Sequence, residues 1–75
     1  MELSKAFGQV LRELRREANL TQEELGLEAD LKRTFISLLE LGQQQPTLQT
    51  IFKLSTALDI KASDLLKYVE QKVSD

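Results

Sequence analysis

Thr21-Gln22-Glu23-Glu24-Leu25, then Arg33-Thr34-Phe35-Ile36-Ser37, then Leu39-Glu40-Leu41-Gly42 is the stretch that decides the fold of this 75-residue chain. Thr21 is placed as an N-cap. Glu24, three residues on, completes a capping box, in which each side chain satisfies an amide left unpaired at the helix start. Leu20 and Leu25 stand where a hydrophobic staple fixes the entry of the chain. This helix runs to about residue 29. A second helix runs from Lys32 or Arg33 to Glu40, and Gly42 is placed to end it in a left-handed turn. On a helical wheel Leu31, Phe35, Ile36 and Leu39 share one arc and face a core. Arg33, Thr34 and Ser37 fall on the opposite side, with Leu38 flanking that edge and Leu41 continuing it.

The flanking sequence reads as a scaffold for this pair. Leu3, Phe7, Val10, Leu11, Leu14 and Ala18 form an apolar stripe with helical spacing, which predicts a helix over about 3–18. Lys5, Arg12 and Arg16 point away from the stripe. Arg15 falls at its edge, where a half-buried ion pair can form. Pro46 and Thr47 open a fourth helix with Leu48, Ile51, Leu54, Ser55 and Leu58 on its inner face. A fifth starts near Ser63, a good cap with Asp64 behind it, and continues to about Val73. One proline and three glycines are the only strong breakers. With no repeat or linker, residues 1–75 read as a single domain, an all-α, compact five-helix bundle.

Composition narrows the function. So short a chain buries only about 60% of its unfolded surface, and dimerisation is one way to bury more. Without cysteine there is no disulfide or thiolate metal site, which fits a reducing cytoplasm. Glu2 and Lys5 near the start, with no long apolar run, give no signal peptide, and no run is long enough to span a membrane. Histidine is also missing, so the common general base, nucleophile and metal ligands are lacking. The expectation is no enzyme, no cofactor, no metal and no small-molecule ligand. A net charge of −2 counts against nucleic acid as a partner. The distribution counts the other way: Arg12, Arg15, Arg16, Lys32 and Arg33 are half of the ten basic residues, and Leu41 to Phe52 carries no charge. A local positive patch fits inside an acidic chain.

Two short helices joined by a tight turn, the second with a polar outer edge, are the layout of a helix-turn-helix that lays one helix in the DNA major groove. Arg offers a two-pronged donor that matches guanine O6 and N7. Thr offers a hydroxyl and a methyl, and Ser pairs with several partners. Taken alone, these three side chains are more simply a solvated face. Together with Pro46-Thr47-Leu48 and Phe52-Lys53-Leu54-Ser55-Thr56-Ala57-Leu58, the motif segments closely resemble the Cro/repressor-type (Cro/C1, or xenobiotic-response-element) helix-turn-helix family over about residues 7–66.

That resemblance implies a lambda-repressor-like bundle with the helix-turn-helix at about 21–41. It places Thr21 and Gln22 at the helix start that grips a DNA phosphate. Arg33, Thr34, Ser37 and Leu38 match base-reading positions. Lys32 lies at the mouth of that helix, within reach of base or backbone, and Gln43, Gln44 and Gln45 match a loop along the sugar-phosphate backbone. Glu40 matches a glutamate that pairs with a helix 1 arginine, here Arg15, as a structural ion pair. The chain departs from the pattern at four places. Gly26 replaces the usual alanine, at a propensity cost of about 1 kcal/mol. Asp30 replaces the usual glycine of the turn, Lys32 replaces a Ser or Thr cap, and Leu41 replaces a polar or basic residue.

Helix 5, at about 63–73, carries Leu65, Leu66, Tyr68, Val69 and Val73 on more than one face. Either all of this surface packs on helices 1 and 4, or helix 5 forms the core of a twofold dimer, as resemblance to restriction-modification controller proteins and small phage repressors suggests. The expectation is the dimer, with Leu65, Tyr68, Val69 and Val73 at its interface. The expected function is a cytoplasmic, sequence-specific DNA-binding transcription regulator of repressor type, a homodimer on a palindromic operator. A reading of another class is a helical protein-interaction module such as an antitoxin-type partner, which the acidic balance, Leu38 and Leu41 favour.

Overall fold

The computed structural model describes residues 1–75. It contains α1 (Leu3–Glu17), α2 (Gln22–Ala29), α3 (Arg33–Glu40), α4 (Leu48–Ala57) and α5 (Ala62–Ser74), and no strand. α1 packs against α3 and α5, α2 against α3 and α4, and α4 against α5. Every helix contributes to one core: Ala6, Phe7, Val10 and Leu11 from α1, Leu25 and Ala29 from α2, Ile36 and Leu39 from α3, Leu54 and the adjoining Leu58 from α4, and Leu65 and Val69 from α5.

Each of the first four helices is stopped locally. Asn19, Asp30, Gly42 and Asp59 adopt φ of 60°, 57°, 74° and 57° in the residues that follow α1, α2, α3 and α4. After α1, the amide of Leu20 reaches the carbonyl of Arg15 (3.1 Å) and that of Asn19 reaches Arg16 (3.0 Å). This paired return of amides onto the last turn is the Schellman motif. It repeats after α3, from Gln43 to Leu38 (2.9 Å), and after α4, from Ile60 to Ser55 (3.0 Å). After α1, α2 and α4 the next helix begins within three or four residues of the stop, while seven residues separate α3 from α4.

The expected stripes are correct in their centres and wrong at their ends. Leu3 is 57% exposed and Ala18 is exposed, because the ends of α1 run past the neighbouring helices; Ala6 takes a core place instead. Leu48 is 67% exposed. It is the first residue of α4, while Thr50 is buried and linked to the Thr47 cap: Thr47 Oγ1 accepts the Thr50 amide (3.1 Å) and donates to Thr50 Oγ1 (3.0 Å). Ser63 is not the cap of α5. The turn at Asp59 brings Ile60 against the core and leaves Lys61 extended, so the helix starts at Ala62 with no side-chain cap.

Two glycines have a packing role the sequence alone did not disclose. A Cβ on Gly8 would lie 2.5 Å from the carbonyl oxygens of both Leu39 and Glu40, so the end of α3 rests directly on the backbone of α1. A Cβ on Gly26 would lie 2.5 Å from the carbonyl of Leu31. The propensity cost at Gly26 is therefore the condition for the tight α2–α3 turn, whose return bond runs from the Leu31 amide to the Gly26 carbonyl (2.8 Å).

Candidate nucleic-acid interface

The start of α2 is built as its sequence requires. Thr21 Oγ1 accepts the Glu24 amide (3.0 Å), and Glu24 Oε1 accepts the Thr21 amide (2.9 Å). Leu25 goes fully into the core, and Leu20 packs against it from the preceding turn. The start of α3 differs: Lys32 is its N-cap and gives no side-chain bond. The Lys32 carbonyl holds the first turn by accepting the amides of Phe35 (3.0 Å) and Ile36 (3.1 Å). Asp30 takes the left-handed conformation that the missing glycine would have supplied.

α3 is anchored by Ile36 and Leu39, both fully buried, with Leu31 and Phe35 packed beside them. Its other side is open. Lys32, Arg33 and Thr34 are exposed, Ser37 and Leu38 are half-buried, and Leu41 is exposed. The side chains of Arg33, Thr34 and Ser37 make no hydrogen bond within the protein, so their donors and acceptors are available to a partner. Arg33 also lines a surface cleft with Thr21, Gln22, Glu23 and Arg15, which joins the reading edge of α3 to the N-terminus of α2. Helix N-termini carry partial positive charge and unpaired amides, so anions settle there. Gln43, Gln44 and Gln45 are exposed in the connection after α3.

Behind this surface lies a fully satisfied ionic cluster. Arg15 Nε donates to Glu40 Oε2 (2.6 Å), Nη2 to Glu40 Oε1 (3.0 Å) and Nη1 to the Leu20 carbonyl (2.8 Å). The Arg15 and Glu40 side chains are 11% and 4% exposed. The hydrogen bond to Glu40 raises the Arg15 pKa above its ordinary value; burial opposes this shift and the charge of Glu40 adds to it. The cluster has a third member that sequence reasoning missed: Gln22 Nε2 donates to Glu40 Oε1 at 3.1 Å. The two residues lie on different helices, eighteen positions apart, and no local pattern in the sequence links them.

α5 divides differently from the expectation. Leu65 and Val69 are buried in their own subunit, at 0% and 4% exposure, so they cannot present themselves to a second chain. Tyr68 and Val73 remain partly exposed, as does Leu66, which lines an apolar groove with Leu3, Phe7, Pro46 and Ile51. On the side facing α1, Lys72 pairs with Glu13 (3.0 Å). No helix is long and apolar enough to cross a membrane.

The helix-turn-helix family profile matches residues 11–65 of the chain. Control protein C.BamHI of Bacillus amyloliquefaciens is 43% identical over 63 residues, covering 83% of this chain and 78% of that protein. Control protein C.MunI of a Mycoplasma species is 36% identical over 67 residues, covering 88% and 90%. Among solved structures, the restriction-modification controller protein C.AhdI of Aeromonas hydrophila aligns with a TM-score of 0.79 at 44% identity, over 81% of this chain and 92% of that one. The restriction-modification controller protein C.Esp1396I shares the fold over the full chain, with a TM-score of 0.89 at 21% identity. With the profile spanning most of the bundle and the motif residues in the places just described, the chain belongs to the Cro/C1-type helix-turn-helix family of DNA-binding transcription regulators.

Proposed function

We propose that the chain is a controller-type regulator that binds its operator as a homodimer, with α3 in the major groove of each half-site. The observation that carries this reading is the open edge of α3: Arg33, Thr34 and Ser37 project from a helix whose opposite face is locked into the core by Ile36 and Leu39. Arg33 is the principal base reader and Lys32, Ser37 and Leu38 adjust the fit. Gln22, with the amides at the start of α2, holds a phosphate, and Gln43 and Gln44 follow the backbone. Two subunits of such a domain place their reading helices about 34 Å apart on one face of B-DNA. The exposed flank of α5 that carries Leu66 and Val73 supplies the twofold contact. Likeness to control protein C.BamHI and to the restriction-modification controller protein C.AhdI supports a role in the control of a restriction-modification unit. The protein acts by binding alone, without catalysis, in the cytoplasm where the DNA lies.

The experiment is selection of bound duplexes from a random library. An enriched palindrome fixes the class, the dimeric state and the half-site spacing together. A second reading, a helical module that docks another protein, draws on Leu41, 58% exposed beside half-buried Leu38 on the same face. Selection without enrichment, together with DNA binding that stays flat as salt rises, would favour that module.

A further inference from the structure

Glu40 stands between the core of the bundle and its DNA-facing cleft. Its Oε2 accepts Arg15 Nε, while its Oε1 accepts both Arg15 Nη2 and Gln22 Nε2. An ionised carboxylate accepts hydrogen bonds and donates none. It therefore fixes which end of the Gln22 carboxamide turns inward: the nitrogen. One of the two Nε2 hydrogens goes to Glu40, and the other is left for the cleft that Gln22 lines with Thr21 and Arg33. There it joins the amides of Gln22 and Glu23, since Thr21 takes only that of Glu24 and the Leu25 amide goes to the Thr21 carbonyl. An untethered carboxamide turns freely and presents its oxygen as readily as its nitrogen. Only the nitrogen end is attracted to a phosphate.

Arg15 completes the arrangement. It grips the carboxylate with two bonds and reaches the carbonyl of Leu20, the residue before the α2 cap, with a third. The carboxylate is thus aligned with the start of α2 before any DNA arrives.

We propose that Glu40 is a positioning residue for DNA binding, orienting Gln22 so that its free Nε2 hydrogen meets a phosphate at the N-terminus of α2. This rests on the reading of Gln22 as a phosphate contact. It assigns Glu40 a role beyond its pairing with Arg15.

The test is a double-mutant cycle in DNA affinity on the selected and a scrambled duplex, with Gln22→Ala, Glu40→Gln and the double variant. Each single change should weaken binding about tenfold or more, the worth of a hydrogen bond to a charged group. Each should also weaken selected and scrambled duplexes alike, because a phosphate contact carries no sequence information. Since a neutral carboxamide displaces no counterion, the salt slope of Gln22→Ala should match that of the parent. The double variant should bind no more weakly than either single one. Glu40→Gln removes a negative charge, which by simple electrostatics favours DNA, so a loss of affinity cannot come from the charge. Effects that multiply, with the Glu40→Gln loss confined to the selected duplex, would show Glu40 acting through the fold alone and overturn the proposal. An unchanged affinity in Gln22→Ala, on both duplexes, would instead remove the phosphate role of Gln22, and the proposal with it. Should Glu40→Gln fail to fold, the wild-type chain decides. Its Gln22 side-chain amide, without DNA, should have an order parameter near that of rigid backbone, about 0.85, and a value below about 0.6 overturns the tether.

Discussion

Arg15 and Glu40 face each other across the α1–α3 contact, joined by two parallel bonds of 2.6 and 3.0 Å that leave neither charge without a partner. Removing one member strands the other in a site that water hardly reaches. Glu40→Ala should therefore cost about 3–5 kcal/mol of stability, against under about 1 kcal/mol for an exposed pair. Urea unfolding of the variant measures it, and a loss near zero would mean that the pair is solvated in solution. The pH dependence has a definite sign. The Arg15 pKa is raised in the fold, so its contribution is complete at any pH below the unfolded-state value and is lost only as pH rises through the raised one. Both lie beyond the neutral and mildly alkaline range, and titration of Arg15 should not alter stability there.

Arg33→Ala should reduce affinity for the selected operator by about 1–3 kcal/mol and relax preference at one base pair. Random DNA should lose much less. Competition binding with specific and scrambled duplexes separates the two, and equal losses on both would reassign Arg33 to the backbone.

Binding should fall steeply with salt, the log–log slope being near −0.9 for each phosphate neutralised. The exposed Arg33 beside the α2 N-terminus and the exposed Lys32 at the start of α3 motivate this in a chain of net charge −2. Fluorescence anisotropy from low to physiological salt provides the slope, and a flat line would exclude phosphate contacts as the source of affinity.

Gly26→Ala should destabilise the protein, although alanine is the better helix former. The added methyl meets the Leu31 carbonyl, and forcing extra volume into a packed site costs about 1–3 kcal/mol. Thermal unfolding is the readout; a variant more stable than the parent would show that the turn relaxes without penalty.

On α5, Leu66→Glu should dissociate the dimer while the subunit stays folded, since Leu66 is 42% exposed. Leu65→Ala should do the reverse, lowering subunit stability by about 2–5 kcal/mol with no direct effect on the contact, because Leu65 is fully buried. Sedimentation with unfolding curves distinguishes them. A Leu66→Glu protein with an unchanged dimer constant would move the twofold contact elsewhere.

The sequence discloses what repeats along one helix or sits at its ends. The Thr21–Glu24 box, the left-handed stop at Gly42 and the buried arc of Ile36 and Leu39 follow from local chemistry, while Asp30 in the turn is marked only by the family resemblance; all appear in the structure. The Arg15–Glu40 pair was legible because a wheel puts Arg15 at a stripe edge and the family resemblance names its partner. What the sequence hides is contact between helices. Gly8 and Gly26 look like weak points until the opposing carbonyls are seen. Leu48 looks like core because its type fits the stripe, yet it is exposed at the first position of α4, where Thr50 takes the buried place. Ser63 outranks Lys61 as a cap by preference, but the turn at Asp59 sets the start. For the interface, exposure agrees with the expected edge on α3, while α5 required the structure to separate Leu65 and Val69 from Leu66 and Tyr68.

The side chains of Arg33, Thr34 and Ser37 are bound to nothing in their own protein, while the helix that carries them is held entirely from behind. Surface changes of this kind usually alter stability by less than about 0.5 kcal/mol. On the proposed reading, recognition and folding are thus written in separate alphabets on the same eight residues of α3. A lineage can exchange the outer letters and acquire a new DNA address while Ile36, Leu39 and Glu40 keep the bundle intact. Such a domain drifts readily between operators, and related chains with the same core can be expected to ignore one another's sites.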